Sequence, residues 1–490
     1  MDYRSALAYL DRHTNLEGNR GDRFGPTMPT AGATSGLSLE PMRQLLAVLG
    51  DPHHAYRAVH ITGTNGKGST ARFVTALVQA TDLSVGTYTS PNIESINERI
   101  SYGGEPISDE AFGQVIGLLA GVEPLLDVAP SRFELLTAAA YVWFAEMGVE
   151  VAVVEVGLLG RYDATNVIDG DVAVVTNIGK DHTTGGERWR QEVAQEKAGI
   201  IKPGSHLVLG TDMADLTPIF VAEGPAETWM AGHEFRVEAN RLAVGGRVID
   251  LETPEARYEE LFLPFHGAHQ GDNLATAVAA AEAFFQRPLD QDLVEFALTT
   301  VELPARFEVI GREPTVVLDG AHNPDGARAA AATLDEAFAR LGSWVLVVGM
   351  VGGKDPTEML EAFGAADFDA VICCQPDWSR AVPATEIAAA AQALGLNPEV
   401  VADPVEALQR ALAVTAADDL IFVGGSLYVV GEVRATARSL LRRPTEGEFD
   451  HDVDGDDGDE VDDDDVDGDV GEGRYDLDLD LDLPDDPEDR

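Results

Sequence analysis

The chain has 490 residues, 45% of them hydrophobic, and a formal net charge of −51. That length suggests two or three domains, with ample apolar residues to build their cores. So acidic a chain repels nucleic acid and anionic membrane surfaces, and its composition resembles proteins of concentrated salt, where ions screen the self-repulsion.

The charge is unevenly spread. Residues 446–490 hold 24 acidic and 2 basic residues, and 61 acidic and 32 basic residues precede them. Five lysines (Lys67, Lys180, Lys197, Lys202, Lys354) stand against 29 arginines. In a chain that avoids lysine, these positions are expected to need an amine or ammonium, unless they cluster in basic loops by chance. Cys373 and Cys374 follow the apolar run Ala370-Val371-Ile372 and read as buried strand residues, without metal or disulfide spacing. No stretch approaches the roughly eighteen apolar residues of a membrane span. The N-terminus lacks a signal-peptide pattern, so a cytoplasmic location is expected.

Ala58–Ile61 reads as a buried strand, and a helix is expected over Gly68–Ala80. Between them, Thr62–Thr70 reads Thr-Gly-Thr-Asn-Gly-Lys-Gly-Ser-Thr. A strand, a glycine-rich turn and a helix N-terminus together make a phosphate cradle, because glycines let backbone N–H groups turn toward an anion. Gly63, Thr64, Asn65, Gly66, Lys67, Gly68 and Ser69 are its candidates, with Lys67 reaching the outer phosphates. Only Thr64 and Asn65 separate Gly63 from Gly66-Lys67, where the usual phosphate loop has four residues. A glycine turn without a ligand is the alternative; the placement of the lysine favours a nucleoside triphosphate.

The strand Ser84–Tyr88 leads to Thr89-Ser90-Pro91-Asn92. Ser90 offers a hydroxyl to a metal or caps the following turn. A helix over Phe133–Met147 precedes the strand Val151–Val156. Glu155, near the end of that strand, faces the ligand crevice of an open sheet and suits Mg²⁺, unless it lies in a solvated loop. The strand Val172–Thr176 runs into Asn177-Ile178-Gly179-Lys180-Asp181-His182. His182 suits a metal or phosphate contact, or is an ordinary loop residue. Lys197 stands near a helix end, where its charge complements the dipole. His206–Leu209 completes the strands of a parallel sheet. Residues 228–262 read as a small β insertion, followed by a helix over Leu274–Phe284.

A second α/β series begins after a boundary at Val301–Pro304. Its strands are expected at Val316–Leu318, Val345–Val348, Ala370–Cys374 and Leu420–Val423, with helices over Gly326–Leu341 and Pro383–Leu394. Asp319-Gly320-Ala321-His322-Asn323-Pro324 and Gly424-Gly425-Ser426-Leu427 each follow a strand, at the crevice edge or as plain strand-to-helix turns. The whole implies an α/β protein: a doubly wound parallel-sheet domain with a phosphate loop (1–302), a smaller Rossmann-like α/β domain (303–444) and an acidic low-complexity tail (445–490) expected to be disordered. Asp476–Leu483 alternates with a strand period, but its charge argues against a strand.

Together these segments resemble the folylpolyglutamate synthase and dihydrofolate synthase family, relatives of the Mur peptide ligases, in its haloarchaeal form. The resemblance runs from Tyr9 to Arg434. It is carried by Gly-Thr-Asn-Gly-Lys-Gly-Ser at 63–69, Glu-Val-Gly at 155–157, Asp-Ala-Thr-Asn at 163–166, Glu-Lys-Ala-Gly-Ile-Ile-Lys-Pro-Gly at 196–204, Ala-His-Asn-Pro at 321–324 and Gly-Ser-Leu-Tyr at 425–428.

The resemblance implies an ATP-dependent amide ligase that activates a dihydropteroate or folate carboxylate as an acyl phosphate and joins it to L-glutamate. It implies Ser90, Glu155 and His182 as Mg²⁺ ligands, Lys197 as a carbamylated lysine, and a place for a monovalent cation. Lys67, Lys197 and His182 would be catalytic. Asn273, Arg306 and Asp319 would contact ATP; Phe133, Glu134, Tyr162 and Asp163 the pterin or substrate; His322 and Ser426 the incoming glutamate. A monomer acting on small molecules is expected. The chain departs from the family pattern at three places. Asn92 stands where the family has His, Leu159-Gly160-Arg161-Tyr162 where it has Gly-Gly-Arg-Leu, and Pro304-Ala305-Arg306-Phe307 where it has Pro-Gly-Arg-Phe. A Mur-type ligase acting on a cell-wall precursor, a nucleotide-binding regulatory protein, or a scaffold using its acidic tail are the competing readings. The tail itself reads as a solubility segment for high salt or as a linker to another folate enzyme.

Overall fold

Apolar strands of four to six residues carry the first sheet. In chain order they are β1 (Arg57–Thr62), β2 (Val85–Tyr88), β5 (Val151–Glu155), β6 (Val172–Val175), β7 (His206–Leu209) and β8 (Glu227–Met230), with the shorter β3 (Ile100–Tyr102) and β4 (Glu105–Pro106) between β2 and β5. The computed structural model describes residues 1–15, 30–32, 34, 37–181, 183 and 186–441, so expectations for His182 and the tail 445–490 lie outside the described residues.

The sheet order is β4-β3-β2-β5-β1-β6-β7-β8. From β2 to β8 neighbours run parallel, and β3 and β4 join antiparallel at one edge. Successive residues serve opposite faces, as the pleat requires. Val59, Ile61, Val153 and Val174 pack under the helices Lys67–Gln79 and Ala268–Phe285. Ala58, Ala152 and Val154 pack against the helices Asp109–Val122 and Arg132–Glu146. Helices on both faces explain why β5 and β6 are buried along their whole length.

Two expectations shift. Glu227–Met230 is not part of the β insertion: it forms β8, with Trp229 and Met230 buried as the strand pairs with β7. The insertion is β9 (Arg236–Ala243), β10 (Gly246–Glu252) and β11 (Arg257–Leu263), an antiparallel sheet in the order β11-β10-β9. Its Ile249, Leu251, Leu261 and Leu263 pack into the same core as the alanine-rich helix. That helix starts at Ala268, not Leu274, because Gly267 (φ +93°) turns the chain into it. Asn273 is thereby placed on the helix.

The second sheet contains β12 (Glu308–Arg312), β13 (Thr315–Leu318), β14 (Trp344–Val348), β15 (Ala370–Cys373), β16 (Glu399–Val400) and β17 (Leu420–Gly424), in the order β12-β13-β17-β14-β15-β16. Four of these were expected. The edge strands β12 and β16 lack a continuous apolar run; β12 is antiparallel to β13 and the remaining pairs are parallel. The helix expected to reach Leu341 spans Pro324–Ala337, capped by Asn323 and ended by the extended Phe338. Cys373 and Cys374 are buried, as expected. Among the described residues no helix is long and apolar enough to cross a membrane.

Candidate active site

β1 lies between β5 and β6, so the turn leaving it emerges between the ends of both neighbours. Two glycines in that turn are required by space as well as conformation. A Cβ on Gly63 (φ +150°) would lie 1.8 Å from Thr176 Oγ1, and one on Gly66 (φ +83°) 2.4 Å from Asn273 Oδ1. The residues beyond β6 pin the turn. Asn177 Oδ1 accepts from Thr64 N at 3.3 Å and Asn65 N at 3.0 Å, and Asn177 Nδ2 donates to Asn65 O at 3.1 Å. The helix Lys67–Gln79 then opens from Gly66 without a side-chain cap, which leaves the helix N-terminus suited to an anion. Lys67 Nζ donates to Thr64 O at 3.3 Å, folded back over the turn.

Glu155 ends β5 beside this turn, 4% exposed. Its Oε2 accepts the Ser90 N–H at 3.1 Å and lies 3.5 Å from where a Gly68 Cβ would be. Burial pushes its carboxyl up, against the opposing pull of the Lys67 charge and the Ser90 hydrogen bond. A buried carboxylate beside Ser90 and a phosphate cradle offers oxygen donors that fit a hard divalent cation. Among the described residues no group of three or more His, Cys, Asp or Glu side chains is placed to hold a metal ion. The third expected ligand, His182, lies outside them.

Lys197, near the end of the helix Trp189–Ala198, is 5% exposed, and its Nζ donates to Gly63 O at 2.7 Å. Burial, and then the Lys67 charge, bring its pKa down to about 7. The amine is therefore neutral in a good fraction of molecules near neutral pH.

Asn273 from the helix Ala268–Phe285, and residues from loops at the ends of the second sheet, face these groups across a cavity of about 460 Å³. Asn273, Arg306, Asp319, His322 and Ser426 line it together with Lys67, Ser90, Glu155 and Lys197. Asp319 is buried at the end of β13, and its two oxygens accept Phe307 N and Ala321 N, both at 2.8 Å. Arg306 is held between two non-glycine residues in left-handed backbone, Ala305 (φ +57°) and Phe307 (φ +49°). Leu159 (φ +60°) is left-handed as well. Leu159 and Ala305 stand where the resemblance expects glycine, and the backbone there is left-handed despite the side chain. His322 Nε2 lies 3.7 Å from Asp181 Oδ2, and Asp181 also pairs with Lys354 from the loop after β14. The lysine bias thus located a group that reaches across the cavity. Ser426 is buried, and its Oγ accepts Tyr428 N at 3.1 Å.

The four expected pterin or substrate contacts are absent from this cavity wall. Phe133 packs beneath Gly157, where a Cβ would lie 2.3 Å from its ring. Glu134 closes a capping box with Ser131, accepting Ser131 N at 2.7 Å. Asp163 is buried and turned into its own loop, accepting from Leu158 N (2.8 Å), Thr165 N (3.0 Å) and Thr165 Oγ1 (2.5 Å). Tyr162 is 40% exposed. Asn92, where the resemblance expects His, accepts from Arg99 Nε at 2.8 Å through its Oδ1. Other residues lining the cavity were not assigned a role from sequence. Among them are Asn177, His269, Gln270 and Tyr428, with His269 pushed to about pKa 4 by burial and by Arg306.

The Mur ligase middle domain family matches residues 61–281, and the Mur ligase, glutamate ligase domain family matches residues 305–427. The dihydrofolate synthase/folylpolyglutamate synthase of Mycobacterium tuberculosis (strain ATCC 25618 / H37Rv) is 39% identical over 381 residues, covering 72% of this chain and 77% of the relative. The chain belongs to the dihydrofolate synthase/folylpolyglutamate synthase family. As a Mur ligase it is an ATP-dependent amide ligase. A probable bifunctional folylpolyglutamate synthase/dihydropteroate synthase of Haloferax volcanii is 36% identical over 409 residues, 81% of this chain. The match spans 48% of that relative, so the chain covers about half its length. Folylpolyglutamate synthase of M. tuberculosis complexed with ADP and AMPPCP superposes with a TM-score of 0.79 at 33% identity, over 91% of this chain and 100% of that one. A bifunctional folylpolyglutamate synthase/dihydrofolate synthase with manganese, AMPPNP and L-glutamate bound gives 0.76 at 27% identity, over 89% and 98%.

Proposed function

We propose that this chain joins L-glutamate to the carboxylate of dihydropteroate, of a reduced folate, or of both, at the expense of ATP. The observation that carries this reading is the shared cavity, where Lys67 and the phosphate loop face Arg306, Asp319 and His322 from the segments flanking β12 and β13. An oxygen of the acceptor carboxylate attacks the γ-phosphorus, the bond to the β–γ bridging oxygen breaks, and ADP leaves behind an acyl phosphate. The glutamate amine, having lost its proton, attacks the acyl carbon. The tetrahedral intermediate expels phosphate and leaves the amide.

Each residue has a physical part in that sequence. The loop N–H groups and Lys67 hold the β- and γ-phosphates and offset charge on the transferring group, while Asn273, Arg306 and Asp319 seat the rest of ATP. Ser90 and Glu155, with His182, would hold a divalent cation, which supplies charge neutralisation at the phosphoryl oxygens. Lys197, buried and with a depressed pKa, is suited to become a carbamate, and a monovalent cation would be a further cofactor. His322 and Ser426 stand on the side where the glutamate enters. Phe133 and Tyr162 lie off the cavity wall and would meet the pterin only outside it, while Glu134 and Asp163 act through the loops they hold. The protein works as a cytoplasmic monomer on small molecules, and its net charge supports the absence of nucleic-acid partners.

The test is isotopic. With ¹⁸O in the acceptor carboxylate, one labelled oxygen should appear in the released phosphate. Unlabelled phosphate accompanying amide product would reject the acyl phosphate.

A further inference from the structure

The phosphate loop touches the second domain through a reciprocal pair of side-chain amides. Asn65 Nδ2 donates to Asn323 Oδ1 at 3.3 Å, and Asn323 Nδ2 donates to Asn65 Oδ1 at 2.8 Å. The partners are 258 positions apart in the chain.

Neither is loosely held. Asn323 is 1% exposed, and its Oδ1 also accepts Gly326 N at 2.9 Å as the cap of the helix Pro324–Ala337. Asn65 is fixed through its backbone: its N–H goes to Asn177 Oδ1, and its carbonyl accepts from Asn177 Nδ2 and from Thr176 Oγ1 at 2.6 Å. Asn323 is buried and Asn65 half-buried, so breaking the pair leaves the Asn323 amide donor unmatched, and the two turns are held in one register. Asn323 belongs to the turn that carries Asp319 and His322. The pair therefore links the loop that holds the phosphoryl donor to the turn beside the entering amine.

We propose that Asn323 is a positioning residue: through Asn65 it sets the distance between the acyl phosphate at the phosphate loop and the glutamate amine on the second domain. This rests on the ligase reading above. Binding of ATP does not depend on the pair, because the loop keeps its own bonds to Thr176 and Asn177. The amide-forming step does depend on it, since a misplacement of about 1 Å costs on the order of 100-fold in rate.

Asn323→Ser keeps a hydroxyl to cap the helix but is too short to reach Asn65. Asn65→Ala removes the other half. In either variant kcat for amide formation should fall about 10- to 100-fold, while in Asn323→Ser, whose side chain lies outside the phosphate loop, KM for ATP stays within about threefold of wild type. Phosphate released per amide formed should rise well above one, because the acyl phosphate then meets water before the amine. The double variant should be no slower than the worse single variant, as expected when both changes remove one interaction. A raised KM for ATP with phosphate and amide still equal would overturn the proposal and assign the pair to the phosphate loop alone. Additive losses in the double variant would do so too, as would a lowered melting temperature with normal kinetics in the cold. Wild-type protein that forms no amide would refute the ligase reading itself; active wild type with unaffected variants refutes only the positioning role.

Discussion

Lys197 Nζ donates to the Gly63 carbonyl at 2.7 Å, from a side chain buried beneath the phosphate loop. Burial and the Lys67 charge bring its pKa from 10.5 to about 7. Carbon dioxide adds only to the neutral amine, so carbamate should accumulate as pH rises through about 7 and fade below it. Protein in ¹³C-bicarbonate should show a pH-dependent carbamate resonance that Lys197→Ala abolishes, with a loss of at least about 100-fold in kcat. A resonance that survives the substitution belongs to another amine. The lowered pKa has a sign for stability as well: the folded state gives up this proton first. Folding is therefore favoured as pH rises from about 7 toward 10.5 and gains nothing further above that range.

Glu155→Gln preserves length and the acceptor for Ser90 N–H but removes the charge expected to hold the cation. The Mg²⁺ or Mn²⁺ concentration for half-maximal activity should rise at least about tenfold, and kcat should fall about 100-fold. Chelation should abolish wild-type turnover, and added metal should restore it. An unchanged metal titration in the variant would place the ion elsewhere.

Ala305 is fully buried with φ +57°, beside Arg306. Glycine there relieves about 1–2 kcal/mol of left-handed strain. It gives back about 0.8 kcal/mol of methyl burial and about 0.4–1 kcal/mol of unfolded-chain entropy. Ala305→Gly should therefore leave the denaturation midpoint nearly unchanged. Ala305→Val, β-branched in the same backbone, should destabilise by more than about 2 kcal/mol. Equal effects in a denaturant titration would mean that the left-handed backbone is not what constrains the position.

Placement in the cavity was legible where the residues came in contiguous words. The phosphate loop, Glu155 at a strand end and Lys197 in its glycine-flanked segment could each be placed because local spacing fixes where the residue emerges. Partnerships across the fold were not legible: nothing near Asn65 announces Asn323, and nothing near Asp181 announces Lys354. The carboxylates show a second limit. Glu134 and Asp163 were expected at substrate, yet both hold backbone N–H groups. For Glu134 the signal was present, since Ser131 three residues earlier makes a capping box. For Asp163 it was weaker: an Asp two residues before Thr165 caps a short turn as readily as it faces a ligand. The edge strands β12 and β16 escaped notice because residues on a sheet rim need not be apolar.

Asp163 distinguishes a structural from a binding carboxylate. Replacing it with Ala leaves three donors unmatched, and stability should fall by about 2–3 kcal/mol. Asp163→Asn, whose single oxygen still accepts from Thr165 but whose Nδ2 meets the Leu158 N–H, should recover only part of that loss in a melt. A variant of normal stability with a selectively raised KM for the pteroate substrate would restore the binding role.

The most direct measurement supplies ATP, Mg²⁺ and L-glutamate in concentrated potassium chloride, with dihydropteroate and tetrahydrofolate in separate reactions. Phosphate release is followed, and products are weighed by mass spectrometry. Phosphate release that depends on the pteroate or folate, accompanied by a product heavier by one glutamyl unit, is the expected result; which acceptor is used separates dihydrofolate synthase from folylpolyglutamate synthase, and use of both makes the enzyme bifunctional. ATP turnover without any glutamate adduct, from either acceptor, would contradict the assignment.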